Sequence, residues 1–283
     1  MKNYAIVTDS AAGLTQSFID EHDIKVLPMS VIIDGLAYKE GVDKSVAEIY
    51  ELLRESGEGA KTSQPTIGEF MDIFNEIEAD GKYDSVISIH ASSELTGTYL
   101  SALSVSKEIA KPVTVIDSKF GSYPMRQMIV HAVEARKNGD TLEAVEAEIS
   151  EIINNSQLYL LPHSLSQLKK SGRVSASQSV LASLLRVQLQ LEFEDGKVIV
   201  AHKVRTKKKM ISHMLETIEN HVKEDGIKTL SVVYAGHRSL ADEWESLIRE
   251  KLPDLKLVFE PLVTVAGVHV GHGTVAFGFV KGK

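Results

Sequence analysis

The fold is decided by the stretch Ser85-Val86-Ile87-Ser88-Ile89-His90-Ala91-Ser92-Ser93-Glu94-Leu95-Thr96-Gly97-Thr98-Tyr99. Its first seven residues form an apolar run typical of a buried strand, and apolar residues return at helical spacing after Tyr99. The stretch therefore predicts a strand, a polar turn and a helix. The unpaired N–H groups at the start of such a helix can bind an anionic head group. In the alternative interpretation, Ser92 or Ser93 only caps the helix.

Two further apolar runs have the same form. Tyr4-Ala5-Ile6-Val7 ends at Thr8-Asp9-Ser10, and Val113-Thr114-Val115-Ile116 ends at Asp117-Ser118. Strands that alternate with helices indicate a parallel sheet with helices on both faces. Ligands bind such sheets at the carboxyl ends of the strands. We therefore expect these two turns and Ser92-Ser93 to meet at one edge of the sheet.

Local motifs place the other elements of the first half. Asp34-Gly35 predicts a two-residue hairpin. Ser45-Val46-Ala47-Glu48 and Thr66-Ile67-Gly68-Glu69 are capping boxes, each of which opens a helix. Thr62-Ser63-Gln64-Pro65, between these helices, is predicted to be a short polar loop.

The second half mixes hairpins with helices. Glu194-Asp195-Gly196 predicts a hairpin, a helical turn is expected between His163 and Val174, and Val268 to Thr274 is interpreted as a Gly-rich turn that feeds the last strand. The predicted fold class is α/β. We expect an N-terminal three-layer domain with a parallel sheet over residues 1–155 and an α+β domain over residues 156–283.

Composition excludes several functions. The chain has 283 residues and no Cys, which excludes disulfides, thiol catalysis and Cys-ligated zinc and is consistent with the cytoplasm. The net charge of −8 disfavours nucleic-acid binding. No apolar run is long enough for a membrane span, so we do not expect an integral membrane protein. The early polar residues of the chain predict no signal peptide.

Several side chains are candidates for chemistry. His269 and His272 are three residues apart, but a Gly-rich turn does not hold two His on one face, so a hydrogen-bonding His is preferred over a metal site. Ser93 is a possible nucleophile, although the Gly-x-Ser-x-Gly elbow is absent. Asp9 and Asp117 either bind Mg²⁺ or cap the helices that follow them, and capping is preferred.

Basic residues form a third group of candidates. Arg173 and Arg205 lie at predicted turns, where they can bind an anion or a partner. Lys207-Lys208-Lys209 is interpreted as a solvated helix face. The chain has neither a Gly-x-Gly-x-x-Gly fingerprint nor a P-loop, so nothing in it supports nucleotide binding.

A set of motifs in a fixed order spans nearly the whole chain. They are Val7-Thr8-Asp9-Ser10, Lys61-Thr62-Ser63-Gln64-Pro65, Ser92 to Tyr99, Val115-Ile116-Asp117-Ser118, Leu168-Lys169-Lys170-Ser171-Gly172-Arg173-Val174, Lys203-Val204-Arg205-Thr206 and His269-Val270-Gly271-His272-Gly273-Thr274. In this order and spacing they resemble the DegV family, the bacterial fatty-acid-binding proteins that serve as acyl carriers for fatty acid kinase.

The resemblance implies two domains with a long-chain fatty acid between them. It implies that Thr62 and Ser93 hold the carboxylate, and that Arg173, Arg205 and His269 lie where the family meets the head group or its kinase. Ser92, Ser63, Thr96 and Gly97 belong to the same motifs and complete the expected ligand site.

The resemblance also implies a function without catalysis by this chain. A separate ATP-dependent kinase subunit phosphorylates the bound carboxylate, and the acyl-phosphate feeds phospholipid synthesis. We therefore expect a non-catalytic carrier with a fatty acid as its ligand, no cofactor and no metal, and with transient contact with a membrane surface. The alternative is a stand-alone lipid hydrolase or phosphoryl transferase that uses Ser93 or Asp9.

Overall fold

The computed structural model describes residues 3–56, 59–163, 165–175 and 187–283. The strands are β1 (Tyr4–Asp9), β2 (Ile24–Leu27), β3 (Ser30–Ile33), β4 (Leu36–Lys39), β5 (Lys61–Ser63), β6 (Ser85–His90), β7 (Val113–Asp117), β8 (Ser156–Leu161), β9 (Gln188–Glu194), β10 (Lys197–Val204), β11 (Thr229–Tyr234), β12 (Lys256–Pro261) and β13 (Val275–Val280). The helices are α1 (Gln16–His22), α2 (Val46–Ser56), α3 (Ile67–Ala79), α4 (Thr98–Val105), α5 (Ser122–Asn138), α6 (Leu142–Asn155), α7 (Leu165–Ser171), α8 (Lys207–Glu224), α9 (Asp242–Lys251) and α10 (Thr264–Val270).

Four parallel strands form the first sheet, in the order β2-β1-β6-β7. Side chains alternate between the two faces of each strand. Val7 joins a core cluster with Phe74 of α3, whereas Ile6, on the opposite face, joins a cluster with Met128 of α5. The predicted parallel sheet with helices on both faces is therefore confirmed.

The second sheet has six strands in the order β10-β9-β8-β13-β11-β12. All of its pairs are antiparallel except β11 with β12. Tyr159 of β8 shares a cluster with Met214 of α8 and Trp244 of α9. Leu158 and Leu160, on the opposite face of β8, share a cluster with α5. This mixed sheet with packed helices confirms the predicted α+β character of the second half.

The two large sheets are built from separate parts of the chain. Every strand of the parallel sheet ends by Asp117, and every strand of the six-stranded sheet begins at or after Ser156. We propose a domain boundary between residues 155 and 156, which gives domains of residues 1–155 and 156–283.

A third, three-stranded antiparallel sheet has the order β4-β3-β5. Its hairpin turns at Asp34 and Gly35, whose φ angles of 50° and 83° fit the type I′ turn that the sequence predicts. The predicted polar loop is wrong for Thr62 and Ser63, since both lie in β5 and Thr62 is in register with Val31 of β3. Pairing with β3 thus fixes the backbone of Thr62.

The capping boxes and the second hairpin are also confirmed. The Ser45 N–H donates to Glu48 Oε2 at 2.9 Å, and the Glu48 N–H donates to Ser45 Oγ at 3.3 Å. Thr66 and Glu69 make the same reciprocal pair at the start of α3. The hairpin of β9 and β10 turns at residues 195 and 196, with φ angles of 47° and 82°.

Three other local predictions need correction or adjustment. The helix after β6 begins at Thr98, with Gly97 as a cap that makes no side-chain hydrogen bond, so Ser92 and Ser93 do not cap it. Residues 268–270, the start of the predicted Gly-rich turn, instead belong to the helix α10 (Thr264–Val270). The helical turn expected between His163 and Val174 is α7, and Ser164 lies outside the described residues.

Candidate functional site

A cavity of about 620 Å³ lies between the carboxyl edge of the parallel sheet and the inner face of the six-stranded sheet. Most of its wall is apolar. The six-stranded sheet contributes Leu158, Leu160, Phe193 and Val198, and the remaining apolar residues are Ala11, Met29, Ala91, Leu95, Phe120, Leu168, Val174, Leu262, Val263, Val265, Ala266 and Val270. A cavity of roughly 300–1,000 Å³ with an apolar wall is typical of a small-molecule site.

Polar groups line the same cavity in a small number of loops. The turn after β6 contributes Ser93, Thr96 and Gly97, and β5 contributes Thr62 and Ser63. A smaller recess of about 200 Å³ shares Thr62, Ser171, Arg173 and His269 with the cavity and adds Lys61 and Lys170. The hydroxyl groups of Thr62 and Ser171 therefore belong to residues that line both the cavity and a cationic recess.

Thr62 and His269 form one polar pair of the site. Thr62 Oγ1 lies 2.9 Å from His269 Nε2, across 207 residues of sequence. Burial, with a smaller effect of the Arg173 charge, lowers the pKa of His269 to about 4. The neutral ring carries one N–H, and when Nε2 holds it, it donates to Thr62 and leaves the Thr62 hydroxyl free to donate to a ligand.

His269 lies on α10, and residues distant in sequence fix the position of this helix. The Thr264 N–H, at the start of α10, donates to Glu40 Oε2 at 2.6 Å. Tyr50 Oη donates to the Leu262 carbonyl at 2.9 Å. A Cβ at Gly267 would lie 2.3 Å from that same Tyr50 oxygen, so the close approach of α10 to α2 requires glycine.

Ser93 and Asp117 form the second polar pair. Ser93 Oγ donates to Asp117 Oδ2 at 2.5 Å, and the Ser93 N–H donates to Asp117 Oδ1 at 3.2 Å. Lys119 Nζ lies 3.3 Å from Asp117 Oδ2. Because β6 and β7 are adjacent and parallel, the turns that follow them meet at the edge of the sheet, as predicted.

Known proteins are similar to this chain in both sequence and fold. A family model described as "Uncharacterised protein, DegV family" matches residues 3–282. The chain belongs to the DegV family. A DegV domain-containing protein of Listeria innocua is 30% identical to it over 270 residues, which cover 95% of each protein. The resemblance seen in the motifs is therefore confirmed.

Two solved DegV structures have the same fold over the full chain. The fatty acid binding DegV family protein of Streptococcus agalactiae is 25% identical, with a TM-score of 0.91 and 100% coverage of both chains. DegV of Bacillus subtilis, described as a fatty acid binding protein, is 29% identical, with a TM-score of 0.89 and coverage of 99% of this chain and 100% of that chain.

The structure brings most of the predicted DegV site residues to the cavity. Those that line it are Thr62, Ser63, Ser93, Thr96, Gly97, Arg173 and His269. Ser92 does not line it, because its buried hydroxyl donates to the Gly196 carbonyl at 2.7 Å and ties this turn to the β9–β10 hairpin. Arg205 is exposed and also lies outside the cavity wall.

Asp9, one of the two residues named in the enzyme alternative, does not line the cavity. Asp9 is fully buried and accepts from the N–H groups of Ala11 and Ala91, so it caps the short 3₁₀ turn that follows β1. Asp9 also pairs with His90, which lies 2.7 Å from Ser88 Oγ. This Ser-His-Asp chain is fully buried and does not line the cavity, so a substrate in the cavity does not reach it.

Within the residues that the structure describes, no group of three or more His, Asp or Glu side chains is arranged to hold a metal ion. None of the described helices combines the length and the apolar character needed to cross a membrane.

Two features of the site were not predicted from the sequence. They are the pairing of Asp117 with Ser93 and most of the apolar wall of the cavity. Asp117 was predicted to bind Mg²⁺ or, by preference, to cap the following helix, but the cap of α5 is Gly121 and Asp117 accepts from the N–H groups of Ser93 and Lys119. The register that pairs His90 with Asp117 is the signal that connects it to the turn containing Ser93. The alternation of Leu158 and Leu160 with Tyr159 shows which side chains of β8 face the cavity, but only once the sheet is known.

The burial of His269 predicts a loss of stability in acid. An unfolded His takes up a proton near pH 6.5, whereas folded His269 does so only near pH 4, so unfolding binds a proton between these values and stability falls as the pH drops. We expect His269 to account for a loss of about 2 kcal/mol between pH 7 and pH 5. Urea unfolding at both pH values measures it.

The matched variants for this experiment are His269→Gln and His237→Gln. The His269 variant is expected to lose the contribution of this residue to the pH dependence. His237 is exposed and outside the cavity, so its variant reports the effect of removing any histidine. The explanation is wrong if the unfolding free energies of the two variants fall by the same amount between pH 7 and pH 5.

Proposed function

We propose that this DegV protein binds a long-chain fatty acid, with the acyl chain in the apolar cavity and the carboxyl group at Thr62 and Ser93. The observation that carries the proposal is the composition of the cavity wall, which is mostly apolar and has Thr62, Ser93 and His269 among its polar residues, with a cationic recess beside Thr62 and His269. The solved relatives of 25% and 29% identity, both described as fatty acid binding proteins, support it.

The energetics favour this ligand. Each methylene transferred from water to the cavity contributes about 0.8 kcal/mol, so a long acyl chain binds tightly without any charged contact. The carboxyl group needs hydrogen-bond partners to offset its desolvation. Thr62 and Ser93 supply them at the polar part of the wall, and His269 orients the Thr62 hydroxyl.

In the proposed function the chain is a carrier rather than an enzyme. A separate ATP-dependent kinase subunit phosphorylates the bound fatty acid in the cytoplasm, and the acyl-phosphate feeds phospholipid synthesis. Arg173 is exposed beside the polar part of the cavity, where a kinase can contact it together with the ligand. The smaller recess with Lys61 and Lys170 lies beside the same head group and supports a role near an anionic product.

Extraction of the ligand tests the carrier proposal. Purified protein is denatured, extracted and analysed by mass spectrometry, and a long-chain fatty acid is expected. Protein that is empty and also takes up neither labelled palmitate nor labelled oleate would refute it. Release of product from an acyl ester, or ATP consumption without a kinase, would instead favour the hydrolase or transferase alternative.

Substitution of the two proposed head-group residues is expected to weaken fatty-acid binding without abolishing it. Thr62→Ala and Ser93→Ala are each expected to weaken palmitate binding by about 0.5–2 kcal/mol, because each removes one hydrogen bond to the carboxyl group. Titration with labelled palmitate measures the change. Ser104→Ala changes an exposed serine of α4 outside the cavity wall and serves as the control. A Thr62→Ala/Ser93→Ala double variant with unchanged affinity would contradict the site.

A further inference from the structure

The hydroxyl hydrogen of Ser93 is already used inside the protein. A serine hydroxyl has one hydrogen and two lone pairs. Ser93 Oγ donates that hydrogen to Asp117 Oδ2 at 2.5 Å. A carboxylate accepts hydrogen bonds and donates none, so the direction of this bond is fixed by the chemistry of Asp117. Ser93 therefore offers lone pairs to a ligand, and not a donor.

Asp117 accepts each of the hydrogen bonds that the structure describes for its carboxyl group. Its Oδ1 accepts from the N–H groups of Ser93 and Lys119 at 3.2 and 3.0 Å. Its Oδ2 accepts from Ser93 Oγ and lies 3.3 Å from Lys119 Nζ. Asp117 is also mostly buried, with 12% of its side chain exposed. To free the Ser93 hydrogen, a ligand would have to break a charge-assisted hydrogen bond.

The charges around Ser93 also disfavour a second anion. Lys119 is shared between Asp117 and Asp195, whose carboxylate is 3.8 Å from its Nζ. Glu94, beside Ser93, acts on the same lysine and lines the cavity. Solvent screens Asp195, which is 87% exposed, but Asp117 and Glu94 already act on this one ammonium group, and an ionised ligand would add a further negative charge.

The basic residues near Thr62 do not offset the negative charge around Ser93. His269 is neutral at pH 7, since burial lowers its pKa to about 4. Arg173 donates from Nη1 to the Ser171 carbonyl and is exposed, so solvent and salt screen its charge. Lys61 and Lys170, the lysines of the smaller recess, are exposed as well.

We infer that the site binds its ligand as the neutral carboxylic acid, with the ligand O–H donating to Ser93 Oγ and the ligand carbonyl accepting from Thr62. A fatty acid that arrives as a carboxylate takes up one proton from solvent as it binds, and that proton stays on the ligand. Asp117 is the positioning residue that sets this preference. The inference rests on the proposed function and adds a specificity: the head group must donate one hydrogen bond.

The direct test is carbon-13 NMR of palmitic acid labelled at the carboxyl carbon and bound to the protein, between pH 5 and pH 9. A carboxylic acid in water ionises at about pH 4–5. The bound carboxyl carbon is expected to keep the chemical shift of the protonated acid up to at least pH 8. A bound carboxyl group that is ionised at pH 7 overturns the inference and leaves the fatty-acid site intact.

Two variants localise the effect. In Asp117→Asn the amide can donate to Ser93 Oγ, which frees the Ser93 hydrogen, so the titration of the bound carboxyl group should move at least two pH units lower. Asp195→Asn is the matched control, since it removes a carboxylate from the same lysine without touching Ser93, and no comparable shift is expected. Equal shifts in both variants would contradict the role of Asp117.

A second measurement uses the unmodified protein and remains decisive if Asp117→Asn fails to fold. Hexadecan-1-ol has an O–H donor and no charge, whereas hexadecanesulfonate stays ionised at every pH of the experiment. At pH 7.5 the alcohol is expected to displace labelled palmitate, and the sulfonate to bind at least 100-fold more weakly than palmitate. Sulfonate binding as tight as that of palmitate overturns the inference. If neither palmitate nor the alcohol binds, the proposed function itself fails.

Discussion

Replacement of Ala266 by Trp is expected to weaken the binding of a sixteen-carbon fatty acid by about 200-fold. Ala266 lies on α10, is partly buried and lines the cavity, so a larger side chain at this position extends into the space of the ligand. If the indole displaces about four methylenes, the loss is about 3 kcal/mol at about 0.8 kcal/mol each. Competition against labelled palmitate measures the change.

The control for Ala266→Trp is Leu36→Trp. Leu36 is 61% exposed on β4 and does not line the cavity, so the same new side chain there leaves the acyl site unchanged. A ten-carbon fatty acid provides an internal comparison, because it needs less of the cavity and should lose less affinity. Equal losses for the two chain lengths would mean that Ala266 is not part of the acyl wall.

The sequence predicted the elements whose signals are local. The capping box at Ser45 and the hairpin at Asp34 depend on residues two or three positions apart, and both are present in the structure. The meeting of the strand-end turns followed from a general property of parallel sheets. Contacts between Ser93 and Asp117 confirm it.

The sequence could not predict elements that depend on distant contacts. Residues 264–270 contain Thr, Val and Gly, which favour strands or turns over helices. They are helical because Glu40, 224 residues away, caps Thr264, and because Gly267 packs against Tyr50. Neither contact has a signal near α10 in the sequence, so His269 was placed in a turn.

The serines after β6 show the same limit. A Ser near the start of a helix is usually a cap. Here Ser92 is bonded to Gly196, 104 residues away, and Ser93 to Asp117, so the helix begins only at Thr98. Ser93 therefore does not cap the helix and does not lie beside its free N–H groups. We expect the ligand to contact the hydroxyl group of this serine instead.

Replacement of Arg126 by Leu is expected to cost about 3–5 kcal/mol of unfolding free energy. Arg126 of α5 pairs with Glu260 of β12, and both side chains are only 15% exposed. Ser231 Oγ also donates to Glu260 Oε2, at 3.1 Å, but a neutral hydroxyl does not balance its charge. Loss of Arg126 leaves this mostly buried carboxylate without the arginine that pairs with it. Urea unfolding at pH 7 measures the loss.

Two variants separate this explanation from a general effect of losing an arginine. Arg249→Leu removes an arginine that is 51% exposed from its pair with Glu245, and about 1 kcal/mol or less is expected. An Arg126→Leu/Glu260→Leu double variant removes both charges and should recover most of the stability. If the double variant is as unstable as Arg126→Leu, the unpaired carboxylate is not the cause.

The Arg126–Glu260 pair also connects stability to the ligand. Ser122, one turn before Arg126, and Leu262, two residues after Glu260, both line the cavity, so the ion pair joins two of its walls. Loosening this contact should weaken palmitate binding as well as folding. Because a ligand that binds only the folded state adds stability, about 2.7 kcal/mol at a concentration 100 times its Kd, excess palmitate should restore part of the loss in Arg126→Leu. A variant that is destabilised but binds palmitate with unchanged affinity would show that the pair supports the fold without shaping the cavity.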